Sequence, residues 1–598
     1  MILYIANRGE IARRIIRSAK KLGIKTAVGY ARQDKELPFV VEADLSVSLD
    51  GEEALETYLD SAKVIGAAKK LGATHLHPGY GFLSENALFV DEVGRANIKF
   101  VGPNSKSMRL LGDKIGARNF LKKHNIPLLP SYEGDDQSDS RLKSEAETLG
   151  YPLLIKPSAG GGGKGMEKVY SSSEFQDALA SSKRIAASAF KDDRVFLEKL
   201  VEDARHIEVQ ILADEKGNVM AFGERECSLQ RRHQKVIEET PCDFLSASLR
   251  SRIYDSSIKI AREAGYQSAG TVEWIWDGRD EIYFLEVNAR LQVEHPVTEE
   301  VWGIDLVEWQ LKIAQGESIK SLKSSPTGHA IEARLCAEDP ANGFLPSGGK
   351  IHRLVWPDDV RVDSGFYEKN EVPPQFDSLM AKIIAKGKDR GEALQNLQKA
   401  LEQIILFGPK TNRSYLIQIL KNKDVREGRL STEFLAGLIP QFDVWGGMKI
   451  LKSLGGQTTT AVGEDEDLDY DSPWGRISRP RSDIFFEDFG DKRFIHTTFE
   501  DWTLSAPKAH RKTDSNAETQ VEAFLKSPMP AKIIRVLVSD GEMVKKNQAL
   551  IVLEAMKMEH QLKAPADLKV EKIFVKEGER VGFEAKLLDW EISKSGDQ

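Results

Sequence analysis

Two copies of one short pattern, V-x-[DE]-G-E-x-V, lie 37 residues apart near the C-terminus of the chain. The first is Val538-Ser539-Asp540-Gly541-Glu542-Met543-Val544, the second Val575-Lys576-Glu577-Gly578-Glu579-Arg580-Val581. Alternating apolar positions around a glycine read as strand, turn and strand. A pattern repeated at fixed spacing predicts two equivalent halves closing into a small barrel with quasi-twofold symmetry. Between the halves runs Val552-Leu553-Glu554-Ala555-Met556-Lys557-Met558-Glu559-His560. A tight hairpin there would lift the Lys557 amine clear of the barrel. On its own Lys557 would be a solvated strand lysine; its place between two repeat halves is what singles it out.

The remaining chain is too long for one core. At 598 residues, the length predicts about four domains. A net charge of −8 argues against a nucleic-acid partner, which would want a basic face. Cys227, Cys242 and Cys336 are scattered and odd in number, so neither a disulfide framework nor a zinc site is expected, and a reducing compartment is. No apolar run approaches the ~20 residues that span a bilayer. The opening Met1–Glu10 reads as a strand entering a turn, not a signal peptide. These features predict a cytoplasmic protein without a membrane partner, or a mitochondrial-matrix one if an organellar form is processed.

Residues 1–112 alternate strand and helix, which predicts a βαβ unit and a parallel sheet. Ile2–Ala6 and Lys25–Tyr30 read as strands around a helix, Glu10–Leu22, that stops at Gly23. No G-x-G-x-x-G lies in this stretch, so a dinucleotide site there has little support. His77-Pro78-Gly79-Tyr80-Gly81-Phe82-Leu83-Ser84-Glu85-Asn86 is a glycine-rich strand-to-helix turn: a structural loop, or amides at a helix start facing an anion.

The densest chemistry lies in residues 113–326. A strand, Pro152–Pro157, carries Lys156 and leads into Gly160-Gly161-Gly162-Gly163. Four glycines in a row are entropically costly to order, so something needs close backbone approach. A phosphate chain cradled by N–H groups is the natural candidate, although the loop is no Walker P-loop. Phe196–Val201, with Glu198 and Lys199, is a strand end suited to an adenine pocket. Strand periodicity puts Glu286 and Asn288 on one face, and Glu273 on a neighbouring strand can reach the same spot. Two carboxylates and an amide oxygen make a hard-cation site suited to Mg²⁺ bridging phosphates.

The order Lys114, Lys156, tetraglycine loop, Glu198-Lys199, Glu273, Glu286, Asn288 resembles the ATP-grasp fold. The runs Arg290-Leu291-Gln292-Val293-Glu294-His295-Pro296 and Gln230-Arg231-Arg232-His233-Gln234-Lys235 resemble biotin carboxylase, as do Ala6–Ala12 and His77–Asn86. The likeness covers roughly residues 1–435. The C-terminal repeat, with Ala555-Met556-Lys557-Met558, resembles the biotinyl (or lipoyl) carrier domain, and A-M-K-M favours biotin. Together they resemble the α subunit of acetyl- or propionyl-CoA carboxylases.

The resemblance implies an α/β multidomain chain. A biotin carboxylase N-terminal domain at 1–112 precedes an ATP-grasp domain at 113–326 and an α+β C-terminal domain at 327–438. A linker or short transferase-contacting region at 439–525 and an all-β biotinyl barrel at 526–593 follow. It also implies cofactors and roles: biotin on Lys557, with ATP and its phosphates at Lys114, Lys156, Gly161, Gly162, Gly163, Glu198, Lys199, His206, Gln230 and His233. Mg²⁺ (or Mn²⁺) falls to Glu273, Glu286 and Asn288. Lys235 and Arg290 hold bicarbonate, Glu294 is its general base, and Arg334 stabilises the biotin ureido group once deprotonated. From sequence alone Arg334 would be a surface arginine. The implied partners are a biotin protein ligase and a separate carboxyltransferase β subunit, in an oligomer. A pyruvate-carboxylating complex and a carrier with an inactive ATP-grasp scaffold are the alternatives. In 439–525 an acidic run, Gly463–Asp469, reads as solvated, while Trp474, Phe485, Phe486, Phe494, Phe499 and Trp502 mark strand-like segments.

Overall fold

The computed structural model describes residues 1–158, 165–190, 192–279, 281–440, 484–489, 492–497, 501–505, 524–527, 531–555, 558–582 and 585–592.

Strands β1 (Ile2–Ile5), β2 (Lys25–Tyr30), β3 (Leu45–Ser48), β4 (His75–His77) and β5 (Lys99–Phe100) form a parallel sheet in the order β3-β2-β1-β4-β5. Leu3, Tyr4, Ile5, Ala27 and Val28 are all buried, as a parallel sheet covered on both faces requires. Helix α1 (Gly9–Lys21) buries Ile11, Ala12, Ile15, Ile16 and Ala19. It ends at Gly23, whose φ of +68° a side chain would disfavour. The loop after β4 is laced to the first turn by Asn7, whose Nδ2 donates to the carbonyls of Pro78 (2.8 Å) and Tyr80 (2.7 Å). Asn86 Oδ1 accepts from the N–H groups of Leu88 and Phe89. These helix-start amides, which the sequence left open to an anion, are therefore capped from within.

Strands β6 (Ser131–Tyr132), β7 (Leu153–Pro157), β8 (Glu167–Val169) and β9 (Val195–Lys199) form an antiparallel sheet in the order β6-β9-β7-β8. One face, with Leu153, Ile155, Val195 and Leu197, packs on Leu142, Ala146, Phe175 and Leu179. Strand alternation leaves Lys156, Phe196 and Glu198 on the other face.

The largest sheet contains β10 (Arg205–Ala213), β11 (Val219–Arg231), β12 (Gln234–Thr240), β13 (Ser268–Trp276), β14 (Ile282–Asn288) and β15 (His329–Cys336). Its order is β14-β13-β10-β11-β12-β15, continued by strands Leu379–Gly387 and Arg361–Ser364. β12 pairs with β15 through Glu238↔Glu332, so the sheet runs unbroken across the domain boundary expected near residue 326. Within 439–525 the described residues form a three-stranded antiparallel meander, Ile484–Phe489, Lys492–Thr497 and Asp501–Ser505.

The C-terminal repeat folds as two four-stranded sheets over one apolar core that includes Ile533, Leu553, Leu568, Val570 and Leu588. The halves exchange matching backbone bonds. Gly541 N–H donates to Val570 C=O (2.7 Å) and Gly578 N–H to Ile533 C=O (2.8 Å). Val570 N–H in turn donates to Glu542 C=O, and Ile533 N–H to Glu579 C=O. Each pair differs by the 37-residue repeat seen in the sequence. Gly541 and Gly578 have φ of +84° and +85°. The first barrel strand, Phe524–Lys526, pairs with Lys586–Ile592, so the barrel begins two residues earlier than the sequence suggests. Among the described residues no helix is long and apolar enough to cross a membrane.

Candidate active site

One face of the large sheet carries a row of charge. Neighbouring strands place Glu286, Glu273, Glu208 and Arg225 in register across β14, β13, β10 and β11. Glu238 and Glu332 continue the row on β12 and β15, where Arg334 lies two residues further along the same face. Arg225, fully buried, donates to Glu208 Oε1, to Gln210 Oε1 (2.7 Å) and to Thr298 Oγ1 (2.9 Å).

Lys235 sits over the middle of this row. Its Nζ donates to Glu208, to Glu273 Oε1 (2.9 Å) and to Glu294 Oε1 (2.6 Å). Glu294 starts the helix His295–Trp302, and its other oxygen, Oε2, accepts from Arg334 Nη2 (3.0 Å). Arg334 Nε donates to Glu238 Oε1 (2.6 Å). Arg334 is thus no surface arginine: a sheet-facing position and two carboxylates draw it inward. Arg290 donates to Glu85 Oε2 (2.9 Å), Gln292 Oε1 (2.8 Å) and Asn288 Oδ1 (2.9 Å).

These contacts set the charge states. Burial alone would raise the Glu294 carboxyl, but Lys235 and Arg334 hold it well below the usual carboxylate range. Burial likewise opposes ionisation of Glu273, and Lys235 and His206 outweigh it, so its pKa is lowered. The His206 ring Nε2 is 3.0 Å from Glu273 Oε2. Burial pushes Glu238 up to about 7, with Arg334 only partly offsetting it. Burial would discharge Lys235, yet Glu208, Glu273 and Glu294 raise its pKa well above that of a free lysine. A permanently charged amine and an ionised carboxylate in hydrogen-bond contact can orient an oxyanion and take its proton.

The expected metal ligands share this face. Glu286 lies opposite Glu273, and burial followed by the Glu273 charge raises its carboxyl. Asn288 Nδ2 donates to Glu273 Oε1 (2.8 Å), while its Oδ1 is turned to Arg290. The two adjacent carboxylates fit a hard divalent cation, which would remove their mutual repulsion, and a half-turn of the Asn288 amide would bring its oxygen beside them.

Lys156 pairs with Glu198, whose Oε2 also accepts from Arg118 Nη1 (2.7 Å). Lys114 has Glu286, Lys156 and Glu198 as its charged neighbours, and burial lowers its pKa. Lys199 points away from this cluster, donating to the carbonyls of Gly150 (3.1 Å) and Tyr151 (2.9 Å). It follows Glu198 by one residue, and strand alternation sends it to the opposite face. Gln230 is buried opposite Lys235. His233 and Arg232 form the two-residue turn of the β11–β12 hairpin, both with positive φ. Gly161, Gly162, Gly163 and Lys557 lie outside the described residues. Strand pairing resumes on either side of Lys557 with Ala555↔Met558.

Sequence reading gave no role to Glu85, Arg225, Glu208, Glu238 or Gln292, although Glu85 and Gln292 lie in runs that carry the resemblance. A signal existed for Glu208: His206, Glu208 and Gln210 recur at every second residue of β10, a polar face on a buried strand.

Four family descriptions match the chain. Residues 2–108 match the biotin carboxylase N-terminal domain, and 113–322 the ATP-binding domain of the carbamoyl-phosphate synthase L chain. Residues 332–437 match the biotin carboxylase C-terminal domain, and 523–589 the family described as biotin-requiring enzyme. The mitochondrial methylcrotonoyl-CoA carboxylase α subunit of Dictyostelium discoideum is 36% identical over a 638-residue alignment, covering 93% of this chain and 91% of its own. One pyruvate carboxylase subunit of Methanothermobacter thermautotrophicus is 42% identical, over 72% of this chain and 89% of its own. Among solved structures, a biotin carboxylase complex from Campylobacter jejuni superposes with a TM-score of 0.70 at 39% identity, covering 73% of this chain and 98% of its own.

Proposed function

Because this chain belongs to the biotin-dependent carboxylases, as an α subunit joining a biotin carboxylase to a biotinyl domain, we propose that it carboxylates its own biotin and hands the carboxyl group to a partner. It is an ATP-dependent carboxylase that uses biotin, ATP and Mg²⁺. The observation that carries the site assignment is the convergence of Lys235 and Arg334 on the two oxygens of Glu294.

In this reading Lys235 and Arg290 bind bicarbonate and Glu294 takes its proton. The deprotonated bicarbonate then attacks the γ-phosphoryl group of ATP, ADP leaves, and the carboxyphosphate so formed breaks down to CO₂ and phosphate. Lys114, Lys156 and the Gly161–Gly163 backbone would bind the phosphates, and Glu273, Glu286 and Asn288 would hold Mg²⁺. His206, Gln230 and His233, with the strand end at Glu198, border the nucleotide. Bound biotin would supply a ureido nitrogen that takes up this CO₂ once the released phosphate has removed its proton. Arg334 would bind the ureido oxygen as negative charge develops there. Lys557 carries the biotin, attached by a biotin protein ligase. A carrier on the same chain has a high effective concentration at the site.

The acceptor is an acyl-CoA bound by a separate carboxyltransferase β subunit in a larger assembly. The end-to-end match to a methylcrotonoyl-CoA carboxylase α subunit supports that class, as does a propionyl-CoA carboxylase α chain at 40% identity. Co-purification with the partner and a panel of acetyl-, propionyl- and methylcrotonoyl-CoA identify the acceptor.

Bicarbonate-dependent ATP hydrolysis without biotin tests the division of roles. Arg334→Ser keeps this activity and loses free-biotin carboxylation; Glu294→Gln loses both. Losses are on the order of 10²–10⁴-fold. Equal loss of both activities in the two variants would refute the assignment.

A further inference from the structure

Below the helix His295–Trp302 lies a second charged cluster that the proposed chemistry does not use. Lys382, on strand Leu379–Gly387, is fully buried. It stands in register with Arg334 on one side and Asp363 on the other. Its Nζ donates to the backbone carbonyl of Val293 (3.0 Å) and lies 3.2 Å from Glu10 Oε2 on α1. The Tyr80 ring, from the loop after β4, is 5.9 Å away. Glu332 also faces this amine, and neither of its carboxylate oxygens has a hydrogen-bond partner among the described residues.

Burying an ammonium is costly unless geometry and partners offset it. A methionine would fill the same space without that cost. The amine therefore does something packing alone does not require, and its hydrogen bond to the Val293 carbonyl shows what. Val293 immediately precedes Glu294. The helix that follows is clamped laterally, because Glu299 accepts from Arg14 Nη2 (2.6 Å) and Arg361 Nη2 (2.9 Å). Lys382 holds the backbone at the helix start, next to the contact of His295 Nδ1 with the Gln292 carbonyl (2.7 Å).

We propose that Lys382 is a positioning residue for Glu294: through the Val293 carbonyl, and braced by Glu10 of the N-terminal domain, it sets where the Glu294 carboxylate stands relative to Lys235 and Arg334. This inference rests on Glu294 being the base. Misplacing a reacting group by about 1 Å costs on the order of 10²-fold in rate. The phosphate-facing residues Lys114, Lys156 and Glu198 lie on other elements and do not depend on this bond.

The test uses the full biotinylated chain as Lys382→Met, Glu294→Gln and the double variant. Each is assayed for bicarbonate-dependent ATP hydrolysis and for MgADP affinity. Lys382→Met is expected to lower kcat about 10²-fold and to leave MgADP affinity within about twofold. The double variant is expected to be no worse than Glu294→Gln alone, because a misplaced base and an absent base do not multiply. Should Lys382→Met not fold, Lys382→Arg takes its place. Arginine keeps the charge but moves the donors outward, and a fall of about tenfold in kcat at unchanged MgADP affinity is expected. Glu294→Gln at parental rate would overturn the base assignment and this inference with it. An inactive Glu294→Gln beside a folded Lys382 variant at parental rate would overturn the inference alone, as would losses that multiply in the double variant.

Discussion

The charged sheet face and the C-terminal barrel are built on opposite plans. Around Lys235 and Arg334, stability and chemistry depend on the same few atoms: one amine offsets Glu208, Glu273 and Glu294 together. In the barrel, an apolar core and paired backbone bonds carry the structure, and the strands on either side of the proposed biotin lysine pair at Ala555↔Met558. A change at Lys235 therefore alters both stability and activity. The barrel separates the two. A catalytic centre needs charges held close and dry, whereas a carrier needs only a rigid base for a moving arm.

Lys235→Met should break the first region most severely. Three carboxylates then face one another without their shared cation, and removing one partner of a buried pair costs roughly 3–5 kcal/mol. Chemical denaturation should show that loss, and bicarbonate-dependent ATP hydrolysis should fall by a factor on the order of 10³. In the barrel, Leu568→Ala opens a cavity in the core at a cost of roughly 2–5 kcal/mol. Hydrogen exchange should rise across residues 531–592, while carboxylation of free biotin stays at the parental rate.

His77 sharpens the contrast, because it works by staying uncharged. Burial lowers its pKa to about 4; its Nδ1 accepts from Gly79 N–H (3.0 Å) and its Nε2 lies 3.1 Å from Gln310 Oε1. The unfolded histidine protonates near pH 6.5, whereas the folded one resists until about pH 4. Its contribution is therefore complete above pH 6.5 and is lost as the pH falls toward 4, by about 3 kcal/mol. His77→Gln should flatten the stability profile over that window.

The smallest effects test the symmetry of the barrel. Gly541→Ala and Gly578→Ala each force a side chain into a left-handed turn at roughly 1–2 kcal/mol. Matching bonds across the repeat predict equal losses in the two variants.

The barrel was legible because its symmetry is written in consecutive residues: the 37-residue spacing that aligns Gly541 with Gly578 also aligns the bonds between the halves. The parallel N-terminal sheet was legible from its alternation of strand and helix. The site was legible in part. Strand parity brought Glu273, Glu286 and Asn288 to one face, but parity within one strand says nothing about what faces it from another. The pairing of Arg334 with Glu238 and Glu294, and of Glu85 with Arg290, depends on sheet order and a distant loop. No local pattern encodes either. Lys199 shows the converse: its neighbour Glu198 reaches the site, and alternation takes Lys199 away from it.

The most direct test of the account is the fate of labelled bicarbonate on the purified, biotinylated chain with ATP and Mg²⁺ and no partner. The account predicts label on the peptide containing Lys557, formed only with ATP and abolished in Glu294→Gln and Lys557→Arg. Label elsewhere on the chain, or ATP-dependent label on Lys557 that persists in Glu294→Gln, would contradict it.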